Sequence, residues 1–371
     1  MKSIALALLA ATSIAAQAQS NVTIYGAADA TLEGVRASGQ INGADRGTFS
    51  RVNSNSSYLG FKGSEDLGNG LKAIFQLETA INIDKADGFK GARNSFVGLN
   101  GSQGTLIAGF LTGPTRAAGL LADMNVGNAG VGANTAIIGK PVGGEGAGTF
   151  DTRFANTVAY VSPTFYGLTV TGAYVAGENK SNQGVPAARV INTSGYDVGV
   201  TFVGGPVTAA LTHGQVKNRL DGAAAGVNLD ETSITRLVGV YKIEGGHKVS
   251  ALYEQSKNSY VGLGGNPELK RVAWGLGGKY QLTQAGAIIT QYYVANDPSG
   301  SYYANNSDRK ARLYEVGYEH SLSKRTVLKT SYTVLNNQDF GNFDFGNGAV
   351  TGATATGVDY KVVSAGIRHS F

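Results

Sequence analysis

The 371-residue chain has no cysteine, seven prolines and a single tryptophan. Without thiols it can form no disulfide, no thiolate metal site and no cysteine nucleophile, so stability rests on backbone hydrogen bonds and packing. Glycine is abundant, at 54 residues. Collagen is nevertheless excluded, because its triple helix needs a strict G-X-Y period and plentiful proline.

Long apolar runs are scarce too. The only one begins at Ile4 and ends at Ala16, behind one basic residue, Lys2, and ahead of Ala16-Gln17-Ala18. That pattern reads as a secretory signal peptide over residues 1–18, with the mature chain starting at Gln19. No later stretch approaches the roughly 18 apolar residues of a spanning helix. The mature chain, a single domain over 19–371, is therefore either soluble or a membrane barrel. Charge of one sign is not concentrated: 31 Lys and Arg against 26 Asp and Glu give +5, and no basic stripe argues for nucleic acid.

Catalytic and cofactor signatures are missing as well. His213, His247, His320 and His369 are far apart, with no H-E-x-x-H spacing. The glycine clusters at Gly262 and Gly275 precede no helix start, and no GxxxxGK[ST] run exists. The acidic stretch "NDPSGSYYANNSD" lacks the bidentate glutamate of a calcium loop. These absences imply no cofactor.

What the chain does have is alternation of period two, the mark of strands. In "NVTIYGAADATLEG" Val22, Ile24, Ala28 and Leu32 share one face, and Thr23, Tyr25, Asp29 and Glu33 the other. In "LKAIFQLE" Leu71, Ala73, Phe75 and Leu77 oppose Lys72, Gln76 and Glu78. Two kinds of connector separate such windows. Seven are short: "EDLGNG", "GSQG", "SPTFYG", "GGP", "EGG", "QLTQAG" and "LSKRT". Eight are long and rich in Gly, Asn, Ser and Asp, as in "VKNRLDGAAAGVNLDET" and "NNQDFGNFDFGNGAV". Together they define sixteen strands. Short turns at one end and long loops at the other are the asymmetry of a transmembrane β-barrel between its periplasmic and extracellular sides.

The sequence closes on "VVSAGIRHSF", with Val363, Ala365, Ile367, His369 and Phe371 on alternate positions. In a closed barrel the last strand pairs with the first, so Phe371 is expected to be held by ladder hydrogen bonds with its ring in the interfacial girdle. A soluble β-sandwich also alternates, but a chain of this length would divide into two or three cores joined by linkers.

Six stretches, in order, resemble the general porins of the Gram-negative outer membrane, of the betaproteobacterial type: "QSNVTIYGAAD", "LGFKGSEDLGNGLKAIFQLE", "RNSFVGLNGSQGTLIAG", "RFANTVAYVSPTFYGL", "LSKRT" and "GIRHSF". The resemblance implies an all-β, 16-stranded antiparallel transmembrane barrel in the outer membrane. It also implies a homotrimer among lipid and lipopolysaccharide, passing ions and small hydrophilic solutes, with loop 3 folded into the lumen to form a constriction. Loop 3 corresponds to Leu111–Thr152, the longest connector, whose length itself signals function.

In the family, acidic residues of this loop oppose basic residues on the facing wall. The loop positions are Asp123, Glu145 and Asp151. On the wall, alternation turns Lys62, Lys72 and Arg93 inward if Leu59, Phe61, Leu71, Ala73, Phe75, Phe96 and Gly98 face lipid, and Arg153 aligns with a family arginine near the pore. Asp29, Glu33, Glu315 and Glu319 are expected as solvated lumen charges. The family arginines before "LGFKG" and after the glycine ending the fifth strand are replaced by Tyr58 and Phe110, which leaves only a weak anion preference. The sequence points to a passive channel rather than an enzyme. A substrate-specific porin, an adhesin or receptor, and a barrel protease or lipid hydrolase stay as alternatives.

Overall fold

The computed structural model describes residues 21–39, 47–86, 88–144, 150–178, 193–217, 227–262, 265–351 and 355–371. The expected signal peptide and Glu145 lie outside these residues. Sixteen antiparallel strands close into one barrel. The first eight are β1 (Asn21–Ser38), β2 (Gly47–Ser54, resuming as Tyr58–Gly68), β3 (Leu71–Ile81), β4 (Phe89–Gly101), β5 (Gly104–Thr112), β6 (Arg153–Val161), β7 (Leu168–Val175) and β8 (Ser194–Gly204). The others are β9 (Val207–Lys217), β10 (Val227–Ile243), β11 (His247–Gly262), β12 (Glu268–Gln281), β13 (Gly286–Ala295, resuming as Ser299–Gly300), β14 (Ala311–Ser321), β15 (Thr326–Asn337) and β16 (Asp359–Ser370). β2 counts as one strand because both its parts pair with β1, Gly47–Ser54 with Ala30–Ala37 and Tyr58–Ser64 with Asn21–Ala27.

The barrel closes where β1 meets β16, from Ala27 opposite Ser370 to Ser38 opposite Asp359. The ladder continues to the last residue: the Phe371 amide donates to the Gly26 carbonyl at 3.1 Å, and the Gly26 amide to the Phe371 carbonyl at 3.0 Å. Closure gives the first and last strands partners on both sides, as a sheet in lipid requires.

All seven short turns fall where the turn residues stand. In the β2–β3 turn both Asn69 and Gly70 have positive φ, +51° and +77°, the geometry a two-residue hairpin needs and the reason Asn-Gly signals one. The expected loop at 216–232 is shorter than its composition suggests. β9 runs to Lys217 and β10 begins at Val227, so Asn228 and Glu231 are ladder residues opposite Val261 and Ser259 of β11. Cross-strand pairing outweighs local turn preference there.

Alternation sets the two faces. Val22, Ile24 and Leu32 of β1 are exposed outward, whereas Asp29 and Glu33 point inward and are buried. An apolar exterior over a polar interior inverts a soluble protein and suits lipid. The main apolar core lies inside the barrel, where Ala118, Ala122, Ile137 and Ile138 of the β5–β6 connection pack on Ala210, Val238, Leu252, Tyr293 and Leu313 of the wall. Phe343 and Phe345, from the β15–β16 connection, join the same cluster.

Candidate functional site: the inner segment and the facing wall

The β5–β6 connection contains a helix, α1 (Pro114–Ala122), in a region where no periodicity announced one. Proline at its first position needs no amide partner and is preset for helix. The next amide is satisfied by the wall: the Thr115 amide and hydroxyl donate to Asp197 Oδ2 and Oδ1 at 3.0 and 2.6 Å. A carboxylate at a helix N-terminus also complements the helix dipole.

Beyond α1 the segment follows the inner wall, gripped through its backbone. The Met124 amide donates to Gln291 Oε1 at 3.0 Å, the Val126 amide to Glu319 Oε1 at 2.7 Å and the Gly139 amide to Glu254 Oε1 at 2.8 Å. Ser250 Oγ donates to the Ala122 carbonyl at 2.7 Å, and Arg271 Nε to the Pro141 carbonyl at 2.8 Å. These bonds satisfy backbone groups of a non-helical chain shut away from water.

The wall from β1 to β6 carries a different set. Glu78 of β3 accepts from Tyr25 Oη at 2.8 Å and from Gln76 at 3.0 Å, with Arg93 Nε 3.4 Å away. The Arg93 guanidinium lies 4.6 Å from the centre of the Tyr58 ring. Arg153 Nε and Thr112 Oγ1 both donate to Asn94 Oδ1, at 2.8 and 2.7 Å. Lys62 Nζ sits 4.9 Å above the Tyr25 ring. Tyr58 therefore replaces the family arginine on the inner face, whereas Phe110 pairs with Ser95 in the outward row of Val97 and Leu106.

The β4 side-chain assignment needs correction. Val97 and Leu99 are the exposed residues, and Phe96 packs inward against Leu111, Ala159 and Ala173. Phe96 and Gly98 thus face the lumen side, and strict alternation would send Arg93 outward. Arg93 still reaches Glu78 because the register slips: Leu77 opposes Ser95 but Thr79 opposes Ala92, so Arg93 and Asn94 share the place opposite Glu78. A bulge of this kind redirects a side chain.

Lys72 is inward but pairs with Asp66 and Asn100 beside the β2–β3 turn, away from Arg93. Asp123 and Asp151 do not stand open opposite the basic wall. Asp151 is buried, with both carboxylate oxygens taken by Arg236 of β10. Asp123 is buried and accepts from the Asn125 and Asn134 amides at 2.9 and 3.0 Å and from Gln291 at 3.3 Å, so it ties the loop to itself and to the wall. Burial pushes the Asp123 carboxyl above its ordinary pKa, against the pull of those donors. Asp29, Glu33, Glu315 and Glu319 are likewise covered rather than solvated: Lys329 and Arg368 flank Asp29, Arg51 holds Glu33, Lys279 holds Glu319, and Asn125 and Gln291 donate to Glu315.

Sequence reasoning missed Arg116 of α1, Glu78, Asn94, and the Arg236 and Glu254 pair. The run "PTRAAGLLA" did carry a helix signal, proline followed by strong helix formers. Arg116 is half-buried. Burial lowers its pKa, Asp151 pulls the other way, and the neighbouring Arg93 and Arg236 guanidiniums add to the lowering.

A closed sixteen-stranded barrel with an apolar exterior and a charged interior is an outer-membrane β-barrel. The description "Gram-negative porin" matches residues 5–340, and the chain belongs to that family. It is an outer-membrane channel protein, of a family and fold typical of non-enzymatic channels. Outer membrane porin protein 32 of Delftia acidovorans is 32% identical over 99% of both chains. Major outer membrane protein P.IB of Neisseria gonorrhoeae is 27% identical over 89% of this chain and 92% of its own. The solved anion-selective porin from Comamonas acidovorans superimposes with a TM-score of 0.77 at 28% identity, covering 95% of this chain and all of that one.

Proposed function

We propose that the protein is a water-filled channel for passive diffusion of ions and small hydrophilic solutes, with a weak preference for anions. Its narrow zone lies between the inner segment and the β1–β6 wall, where Lys62, Arg93 and Arg153 supply the bias and Lys72 acts at the mouth. Fixed charge beside a narrow aqueous passage selects by sign.

The observation that carries this reading is an imbalance. Asp151 has both oxygens on Arg236, while Arg93 and Arg153 on the opposite side share, among the described residues, the carboxylate of Glu78. The anion-selective Comamonas relative adds weight to it. Residues 1–18 act as the export signal, and three barrels assemble amid lipid and lipopolysaccharide; no cofactor and no nucleic acid takes part.

The test is current through purified protein in a planar bilayer under a potassium chloride gradient. Openings in groups of three with a reversal potential on the chloride side are expected. A folded, inserted protein that passes no current, or one that prefers potassium, overturns the reading.

A further inference from the structure

We infer that Arg116, carried on the inner helix, is a specificity-determining residue of the channel, giving the loop side of the narrow zone the same positive sign as the wall. This rests on the anion-preferring channel reading and deepens it.

The helix itself gives the orientation. Thr115, Ala118, Gly119 and Ala122 are buried against the wall, Thr115 on Asp197 and Gly119 on Arg236. Arg116 lies on the flank of that stripe, half-buried, and Ala117 on the opposite, exposed face. At about 100° per residue Arg116 sits roughly 60° round from Gly119, at the edge between the packed and open faces, and its charge acts on Arg93 and Arg153. The open face of α1 therefore looks across the lumen, toward Arg93 and Arg153.

Among the described residues Arg116 has no ion-pair partner. Asp151 is the nearest loop carboxylate, yet Arg236 Nη1 and Nη2 already occupy both its oxygens at 2.9 and 2.7 Å. Among the described residues Arg116 Nε is buried with no hydrogen-bond acceptor, and Arg93 Nε on the wall has only the ion-pair contact with Glu78 at 3.4 Å. Guanidinium donors short of hydrogen-bond acceptors on opposite sides of a passage favour a visiting anion over a cation. The burial-lowered pKa of Arg116, with Arg93 contributing, agrees with guanidiniums gathered at one place. The deeper carboxylates lie behind the helix and are engaged there, Asp151 and Glu254 by Arg236 and Asp197 by Thr115.

The chain contains no cysteine, so the full-length Arg116→Cys protein would carry a single thiol. Single open channels in a planar bilayer are treated with an anionic sulfonatoethyl or a cationic trimethylammonioethyl methanethiosulfonate. The two reagents should move the anion-to-cation permeability ratio in opposite directions, by about threefold each, the effect of one unit charge acting through water over several ångströms. Arg116→Lys should keep the original ratio and Arg116→Gln should lower it by about threefold on the same grounds.

Because the reagents act on channels already folded and conducting, loss of folding cannot mimic a negative result. If the original protein prefers anions and neither reagent changes the ratio, Arg116 does not face the pathway and this inference falls alone. If the original protein prefers cations or carries no current, the channel reading falls with it.

Discussion

Arg236 of β10 grips Asp151 through two parallel hydrogen bonds, Nη1 to Oδ1 at 2.9 Å and Nη2 to Oδ2 at 2.7 Å, with both side chains almost wholly out of water. The same guanidinium donates to the Thr115 carbonyl at 2.7 Å and, through Nε, to Glu254 Oε2 at 2.8 Å. One wall side chain thus ties the entrance of the inner segment to its exit. Arg236→Met would leave two carboxylates buried without their cation, and the expected loss is about 3–5 kcal/mol. Arg236→Lys should fall between, since an ammonium cannot reproduce the fork. Thermal denaturation in detergent measures both, and an Arg236→Met transition equal to that of the original chain would show that this tie does not hold the segment.

Gly119 inverts the usual rule for helices. Replacing glycine by alanine inside a helix normally gains up to about 1 kcal/mol. Here a Cβ would stand 2.5 Å from Arg236 Nη1, 3.0 Å from Ile138 Cδ1 and 3.2 Å from Asp151 Oδ1. The guanidinium cannot step aside without releasing its acceptors, so Gly119→Ala should destabilise by about 1–3 kcal/mol through overpacking and make the open-channel current noisier. A melting point at or above the original would mean that Arg236 yields freely.

Lys62 and Lys72 provide a comparison of depth. Lys62 pairs with Thr23 and Gln76, next to the Glu78 level, whereas Lys72 pairs with Asp66 and Asn100 beside a turn. At about 3.4 Å per residue, Lys72 lies roughly 20 Å along β3 from Glu78, beyond the screening length of roughly 10 Å in 0.1 M salt. Lys62→Glu should move the reversal potential toward cations, and Lys72→Glu should move it much less. Equal shifts would place the narrow zone nearer the turns, and no shift for Lys62→Glu would remove that residue from it.

Phe371 covers Gly26 with its ring: a Cβ at Gly26 would meet the ring Cζ at 2.6 Å. Phe371→Ala keeps the backbone ladder and removes this half-buried contact, for an expected loss of about 1 kcal/mol and slower assembly in detergent micelles. Refolding followed by the shift from unfolded to folded mobility on a gel reads the rate. An unchanged rate would assign the terminal strand's contribution to its backbone alone.

The sequence legible here was that of the strands. Val22, Ile24 and Leu32 against Asp29 and Glu33 already separated outside from inside, and Asn69-Gly70 already named a turn. Alternation turns Arg93 inward only with Phe96 and Gly98 on the lipid side, where they are not; its direction comes from the bulge opposite Glu78, which nothing in "RNSFVG" announces. Asp123 and Asp151 were found by position in the loop, and that position says nothing about what they bind.

What the sequence alone determined is the barrel: strand number, turns and the facing of the strands that carry no bulge follow from a two-residue period and from turn φ, both properties of neighbouring residues. What only the tertiary structure decided is which charges remain available to a passing ion. That depends on partners more than eighty residues away, such as Arg236 for Asp151 and Asp197 for Thr115, because a charge in a crowded lumen is defined by the groups that desolvate or neutralise it.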